Sequence, residues 1–169
     1  MKATTKLYSL PFWDVKTYLF AFLFIVGNLA FPQLCHLVPA GGPIWLPIYF
    51  FTLVAAYKFG LRVGLLTAIL SPLLNHWLFG MPALPVLPAI LIKSCLLSGI
   101  AAWVAQRTRK VSLTGLLVVV LAYQIAGTAC EWAICGDFML AVQDFRMGIP
   151  GMLLQLFGGF AALKALTRI

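Results

Sequence analysis

The sequence predicts an all-α membrane protein, a bundle of six transmembrane helices. Hydrophobic residues make up 63% of the 169 residues and charged residues only 9%, whereas a soluble domain carries about 25% charged residues. Six stretches approach the roughly 20 mostly apolar residues that a membrane-spanning helix needs. None of them shows the alternation of polar and apolar residues that is typical of transmembrane strands. We therefore expect one helical transmembrane domain over residues 1–169.

The apolar runs, and the proline- and glycine-rich stretches between them, define the individual helices. The predicted helices lie at residues 17–37, 43–59, 61–79, 86–105, 112–134 and 148–166. Proline- and glycine-rich stretches at 38–43 and 80–85 separate the first helix from the second and the third from the fourth. Because the residue before a proline avoids helical geometry, both stretches are predicted to be extended loops. Only Gly60 separates the second helix from the third. This spacing predicts that the two form a tight helical hairpin, or that one of them is slightly short.

The distribution of basic residues predicts that both termini are cytoplasmic, since cytoplasmic loops are enriched in Lys and Arg. With the N-terminus inside, ten of the twelve basic residues lie on the cytoplasmic side: Lys2, Lys6, Lys16, Lys58, Arg62, Arg107, Arg109, Lys110, Lys164 and Arg168. Arg146 alone lies outside, in the same outer loop as Asp137 and Asp144, and Lys93 lies within the membrane.

The net charge of +8 does not indicate a nucleic-acid partner. The basic residues are spread over four separate cytoplasmic edges, which is typical of contact with anionic lipid headgroups in the bilayer. The four cysteines form no Cys-x-x-Cys pair, and Cys35–His36 is the only Cys/His neighbour pair. We expect no metal site, no cofactor and no disulfide.

Lys93 is the most informative residue, because it lies inside the apolar run of the fourth helix. A lysine at such a depth costs about 2.5–3.5 kcal/mol on insertion scales and is rarely without function. One interpretation is an internal ion pair with Glu131, or a side chain that reaches toward the membrane surface. The other is recognition of an anionic or zwitterionic ligand. Both can hold in turn if the pair opens to admit the ligand.

Polar residues accumulate in the outer halves of the predicted helices. Asn75 and His76 end the third helix, Glu131 lies near the outer end of the fifth, and Gln155 lies about seven residues into the sixth. The inner halves are almost purely apolar. This asymmetry predicts a polar pocket that opens outward and is closed on the cytoplasmic side. His76 could equally be a satisfied core residue, and Gln155 an interhelical hydrogen-bonding group.

Aromatic residues surround the predicted pocket. Tyr49, Trp77 and Trp132 are candidates for contact with a ligand, and Trp77 or Trp132 could stack on a planar one. The alternative for the tryptophans is an interfacial aromatic belt.

Small residues recur at four-residue spacing in Gly60, Gly64 and Ala68. Such a ladder allows close helix packing within the chain, or it could bind a partner subunit if it were exposed.

The motifs of common catalysts are missing. No phosphate-binding loop is present, so the chain carries no ATPase of its own. Motifs of intramembrane hydrolases are also lacking, and no inverted repeat indicates a stand-alone secondary transporter. A binding pocket without an energy source predicts a non-enzymatic subunit of a larger assembly.

The chain resembles the substrate-binding S components of energy-coupling factor (ECF) transporters. The resemblance covers essentially the whole length, and the stretch Leu46–Ala68 is similar to the second and third helices of that family. Ser71–His76 and Gly148–Gly151 are also similar to family members. One departure lies in the first helix, where many members carry Ala-x-x-x-Ala and this chain has Ala21 followed by Ile25.

The resemblance implies a multi-pass protein of a bacterial or archaeal cytoplasmic membrane that captures a vitamin or similar nutrient from outside. It implies docking on a membrane scaffold subunit with two ATPases, through a face of helices one to three that would include Gly60, Gly64 and Ala68. Our first hypothesis for such a nutrient site is that Lys93 meets the anion of the ligand and Glu131 meets a donor or cation, with Asn75 and His76 as polar supplements. The alternative is a small intramembrane enzyme, with Glu131 and His76 as general acid and base, or an assembly subunit.

Overall fold

The computed structural model describes residues 7–166, so Lys2, Lys6 and Arg168 lie outside the described residues. Helices are the main secondary structure of this part of the chain, which contains no strand, and this confirms the all-α prediction. The long helices are α1 (Val15–Cys35), α3 (Pro47–Phe59), α4 (Leu61–Phe79), α5 (Leu87–Thr108) and α6 (Leu113–Cys135). The short helices are α2 (Gly41–Trp45), α7 (Phe138–Ala141), α8 (Gln143–Met147) and α9 (Ile149–Leu153). A π-helical turn (Leu154–Gly158) joins α9 to α10 (Gly159–Leu166).

Four helical segments of residues 7–166 are long and apolar enough to cross a membrane. They are α1, α5, α6 and the continuous segment Ile149–Leu166. The second predicted helix, 43–59, is divided by Leu46, which has a left-handed φ of 47° and precedes Pro47 at the start of α3. Its longer part has 13 residues, about 20 Å at 1.5 Å per residue, and is too short to span a bilayer alone. Six spans and the orientation of the termini remain predictions.

Side chains and glycines set the ends of the long helices. Asp14 accepts a hydrogen bond from the Lys16 amide at the start of α1, and Ser112 accepts one from the Gly115 amide at the start of α6. These caps satisfy amides that have no partner within the helix. Gly60, at a φ of +93°, reverses the chain between α3 and α4, as predicted for this hairpin. A side chain at Gly60 would also meet the Tyr8 carbonyl at 3.1 Å.

α3 is the central helix of the bundle. It packs against α1, α4 and α5, and its residues from Thr52 to Phe59 are all buried. Leu53, Ala55 and Ala56 have no exposed surface. α1 instead has an exposed apolar face that includes Phe22 and Val26. An apolar face exposed over a spanning-length helix is typical of contact with lipid or another membrane subunit.

A polar network links three helices inside this core. The Asn28 amide on α1 donates to Thr52 Oγ1 on α3 at 3.0 Å and to Ser71 Oγ on α4 at 3.2 Å. Asn75 Nδ2 donates to the Asn28 carbonyl at 2.8 Å. In an apolar medium each unpaired polar group is costly, so these bonds help to define how the helices pack.

The ladder of small residues is used inside the chain. Gly60, Gly64 and Ala68 are all buried, and a β-carbon on Gly64 would collide with Ala56 of α3 and Ser98 of α5. The absence of a side chain therefore allows α3, α4 and α5 to approach closely. The three residues are buried within this chain, and their part in docking stays a prediction.

Candidate functional site

A cavity of about 330 Å³ lies at one end of the bundle. The loops after α1 and α4 meet there with the start of α3, the start of α5, the end of α6 and the short helices α7 and α8. Most of its wall is apolar. The lining residues are Pro32, His36, Gly42, Pro43, Leu46, Pro47, Ile48, Tyr49, Asn75, Met81, Pro82, Ala83, Val86, Ala89, Ile90, Lys93, Glu131, Leu140, Gln143 and Asp144. Pockets for small ligands are typically apolar, with a few convergent polar groups.

Lys93 lines this cavity and is buried, with 3% of its side chain exposed. Its Nζ lies 2.5 Å from Glu131 Oε2 and 2.7 Å from Asp144 Oδ2, and the second contact has hydrogen-bond geometry. The lysine stem passes close to Gly127 of α6, where a β-carbon would collide with it. The lack of a side chain at Gly127 therefore gives Lys93 its path across the α5–α6 interface.

Helix length explains why Lys93 meets Glu131. Lys93 lies six residues after the start of α5 at Leu87, and Glu131 lies four residues before the end of α6 at Cys135. At 1.5 Å per residue these positions are about 9 and 6 Å from the same end of two packed helices. The internal ion pair between Lys93 and Glu131, one of the two interpretations of this lysine, is therefore present.

Asp144 is the partner that sequence reasoning missed. It was expected in the outer loop with Asp137, which left Glu131 as the only carboxylate near Lys93. The structure corrects this: α7 and α8 fold back over the cavity, and Asp144 on α8 contacts Lys93. Asp137 instead caps α7 by accepting bonds from the amides of Met139 and Leu140. Since Asp137 is engaged locally, Asp144 is the acid of this loop left to pair with a buried cation.

The other predicted site residues divide into two groups. Tyr49 and Asn75 line the cavity with Lys93 and Glu131. Asn75 is fully engaged, because its Oδ1 accepts from Gln33 and its Nδ2 donates to the carbonyls of Asn28 and Ser71.

Four predicted residues are not part of the lining. The Nδ1 atom of His76 lies 2.8 Å from the Pro82 carbonyl, in the loop after α4. Gln155 is fully buried and accepts a hydrogen bond from the Tyr123 hydroxyl at 2.9 Å. Trp77 is 80% exposed and Trp132 is 50% exposed. The structure thus brings together Tyr49, Asn75, Lys93 and Glu131, and adds Asp144, His36 and Gln143.

The charge of the site follows from its three ionisable partners. Lys93 contributes one positive charge, and Glu131 and Asp144 contribute one negative charge each, so their sum is one negative charge. Charges interact much more strongly in a low-dielectric interior than in water. Of the two residues named for the enzymatic alternative, Glu131 lines the cavity and His76 does not.

A scan against protein-family models and searches of curated proteins and solved structures return no match to this chain. What the protein does must therefore be inferred from the cavity and its charges.

Proposed function

We propose that this chain is the membrane-embedded substrate-binding subunit of an ATP-driven importer of the ECF type. Its cavity would take a small vitamin-like nutrient from the outer side of the membrane. One observation carries the proposal: three charged side chains, one of them a buried lysine, converge on a cavity at one end of an apolar helical bundle. Ionisable groups at such positions mark substrate or ion sites by default.

The distribution of basic residues around the bundle supports an outward-facing cavity. α5 starts at the cavity, and the far end of this 22-residue helix carries Arg107 and is followed by Arg109 and Lys110. α3 likewise starts at the cavity and ends near Lys58 and Arg62. Most described basic residues therefore lie at the opposite end from the cavity. Since basic residues concentrate on the cytoplasmic side, the cavity would face outward.

Docking on a scaffold subunit rests on the family resemblance and must use exposed residues. Ala21 and Ile25 of α1 are buried against the rest of the chain, as are the three ladder residues. We propose that a membrane scaffold contacts the exposed apolar face of α1, which includes Phe22 and Val26.

Affinity purification of the tagged full-length chain from its native membrane tests the proposal. We expect quantitative proteomics to find one further membrane protein and nucleotide-hydrolysing subunits enriched over an untagged control. Replacing Phe22 and Val26 by alanine should lower their recovery. Alanine at Leu117 and Leu121, on the exposed face of α6, is the matched control and should leave recovery unchanged. Purification without any ATPase above the control would contradict the ECF assignment.

A further inference from the structure

The cavity contains one more carboxylate than its lysine can neutralise. Lys93 is the only Lys or Arg among the described lining residues, and it faces Glu131 and Asp144 together. With histidine counted as neutral, the lining carries a net charge of one negative unit. Lys93 is buried, whereas the side chains of Glu131 and Asp144 are 14% and 18% exposed, so a ligand in the cavity can reach the uncompensated negative charge. The side chains that line the cavity therefore supply one positive charge fewer than neutrality requires.

Hydrogen-bonding capacity leads to the same result. A lysine ammonium has three donors, and here both carboxylates already contact it. Ionised carboxylates have about four acceptor sites each, so most of the free capacity belongs to Glu131 and Asp144. Neither carboxylate has a hydrogen bond to a described donor other than Lys93. Most of the unused hydrogen-bonding groups in the cavity are therefore carboxylate acceptors, and charged donors are few.

We infer that the cavity takes a small molecule with a cationic nitrogen on an apolar body, and that Glu131 and Asp144 hold this nitrogen. The inference rests on the proposed function and specifies its substrate class. It reverses the expectation that Lys93 meets a ligand anion. An anion would have to displace a carboxylate from Lys93 and would bring the local charge to minus two. A cation brings the local charge to zero.

The two carboxylates would have different roles. Glu131 belongs to the long helix α6, and its position is determined by the packing of α6 against α5. Asp144 belongs to the five-residue helix α8. Gly148 ends α8 in close contact with Leu46, where a side chain would collide. Glu131 therefore holds a fixed position within the bundle, and Asp144 lines the cavity from the loop side.

The apolar part of the ligand would lie against the proline and aliphatic wall. Ile48, Val86, Ala89 and Ile90 provide much of that wall. A volume of about 330 Å³ is at the lower end of the range for ligand pockets, roughly 300–1,000 Å³. We therefore expect a compact ligand with a single cationic group.

Three probes of similar shape test the inference, because they differ mainly in the terminal group: phenethylamine, hydrocinnamate and phenethyl alcohol. Binding is measured as the concentration dependence of the thermal midpoint of the purified full-length chain in detergent. The amine should bind at least about tenfold more tightly than the acid, with the alcohol between them. Glu131→Gln and Asp144→Asn should each lower the preference for the amine by about tenfold.

Each single variant keeps Lys93 paired with the remaining carboxylate, so both are expected to fold. Asp137→Asn is the matched control, because Asp137 lies in the same loop but outside the lining, and it should leave the preference unchanged. Tighter binding of hydrocinnamate, equal binding of the three probes, or no saturable binding would overturn the inference. An amine preference that persists in both variants would also overturn it. Failure of the proposed function would be recognised separately, as the absence of co-purifying ATPases.

Discussion

Replacing Lys93 by methionine is expected to lower the free energy of unfolding by about 3–5 kcal/mol, the usual cost of breaking a buried ion pair by removing one partner. Methionine matches the lysine stem in length and keeps the contact with Gly127. The destabilisation arises because Glu131 and Asp144 would face each other in the cavity without the cation that both of them contact. The measurement is the midpoint and free energy of unfolding of the purified chain in detergent.

Removing the two negative charges as well should reverse most of this loss. The triple variant Lys93→Met, Glu131→Gln, Asp144→Asn carries no charge at the three positions, and neutral replacements of buried ion pairs are often tolerated. Lys16→Met is the matched control, because Lys16 is exposed at the start of α1, and it should change stability by less than about 0.5 kcal/mol. A Lys93→Met chain as stable as the parent would contradict the claim that Lys93 stabilises the fold by pairing with Glu131 and Asp144.

Replacing Gly64 by alanine is expected to destabilise the chain by about 1–3 kcal/mol, the usual cost of overpacking a core. The added β-carbon would lie 2.8 Å from Ala56 Cα of α3 and would collide with Ser98 of α5. Because Ala56 Cα belongs to the backbone, a side-chain rotation cannot relieve the contact, and α3 and α4 must separate. The same unfolding measurement reports the effect.

Gly99→Ala is the matched control for Gly64→Ala. Gly99 also lies within a long helix, α5, but a β-carbon there would meet nothing within 4 Å. Alanine is favoured over glycine in a helix by about 0.8–1.0 kcal/mol, so this variant should be as stable as the parent or more so. If the two substitutions changed the free energy of unfolding equally, close packing at Gly64 would contribute nothing to stability.

The helices could be located from the sequence because apolar runs and breakers are local signals. The predicted segments 61–79 and 112–134 nearly coincide with α4 (Leu61–Phe79) and α6 (Leu113–Cys135). The segment 43–59 was predicted as one helix although it contains Pro47. The residue before this proline, Leu46, avoids right-handed helical geometry, and the helix restarts at Pro47. The signal for this break was present in the sequence, but the surrounding apolar run obscured it.

The sequence predicts the positions of those site residues that lie on long helices. Lys93 and Glu131 could be placed at similar depths by counting residues along two neighbouring helices. Asp144 could not be placed this way, because it lies on a short helix whose position depends on how residues 136–148 fold back. The orientation of Trp77 and Trp132 was also unpredictable. Membrane helices are apolar on most sides, so hydropathy does not show which face is buried.

The central claim is that the cavity around Lys93 binds a small molecule, and mass spectrometry of released compounds tests it most directly. The parent chain and an Ala89→Phe variant are purified from the same native membrane and denatured. Ala89 lines the cavity one helical turn from Lys93, so phenylalanine would fill the space and leave the three charges in place. We predict a near-stoichiometric small molecule with a cationic nitrogen from the parent, and little of it from the variant. Equal release from both chains, or release of lipid and detergent alone, would contradict the account.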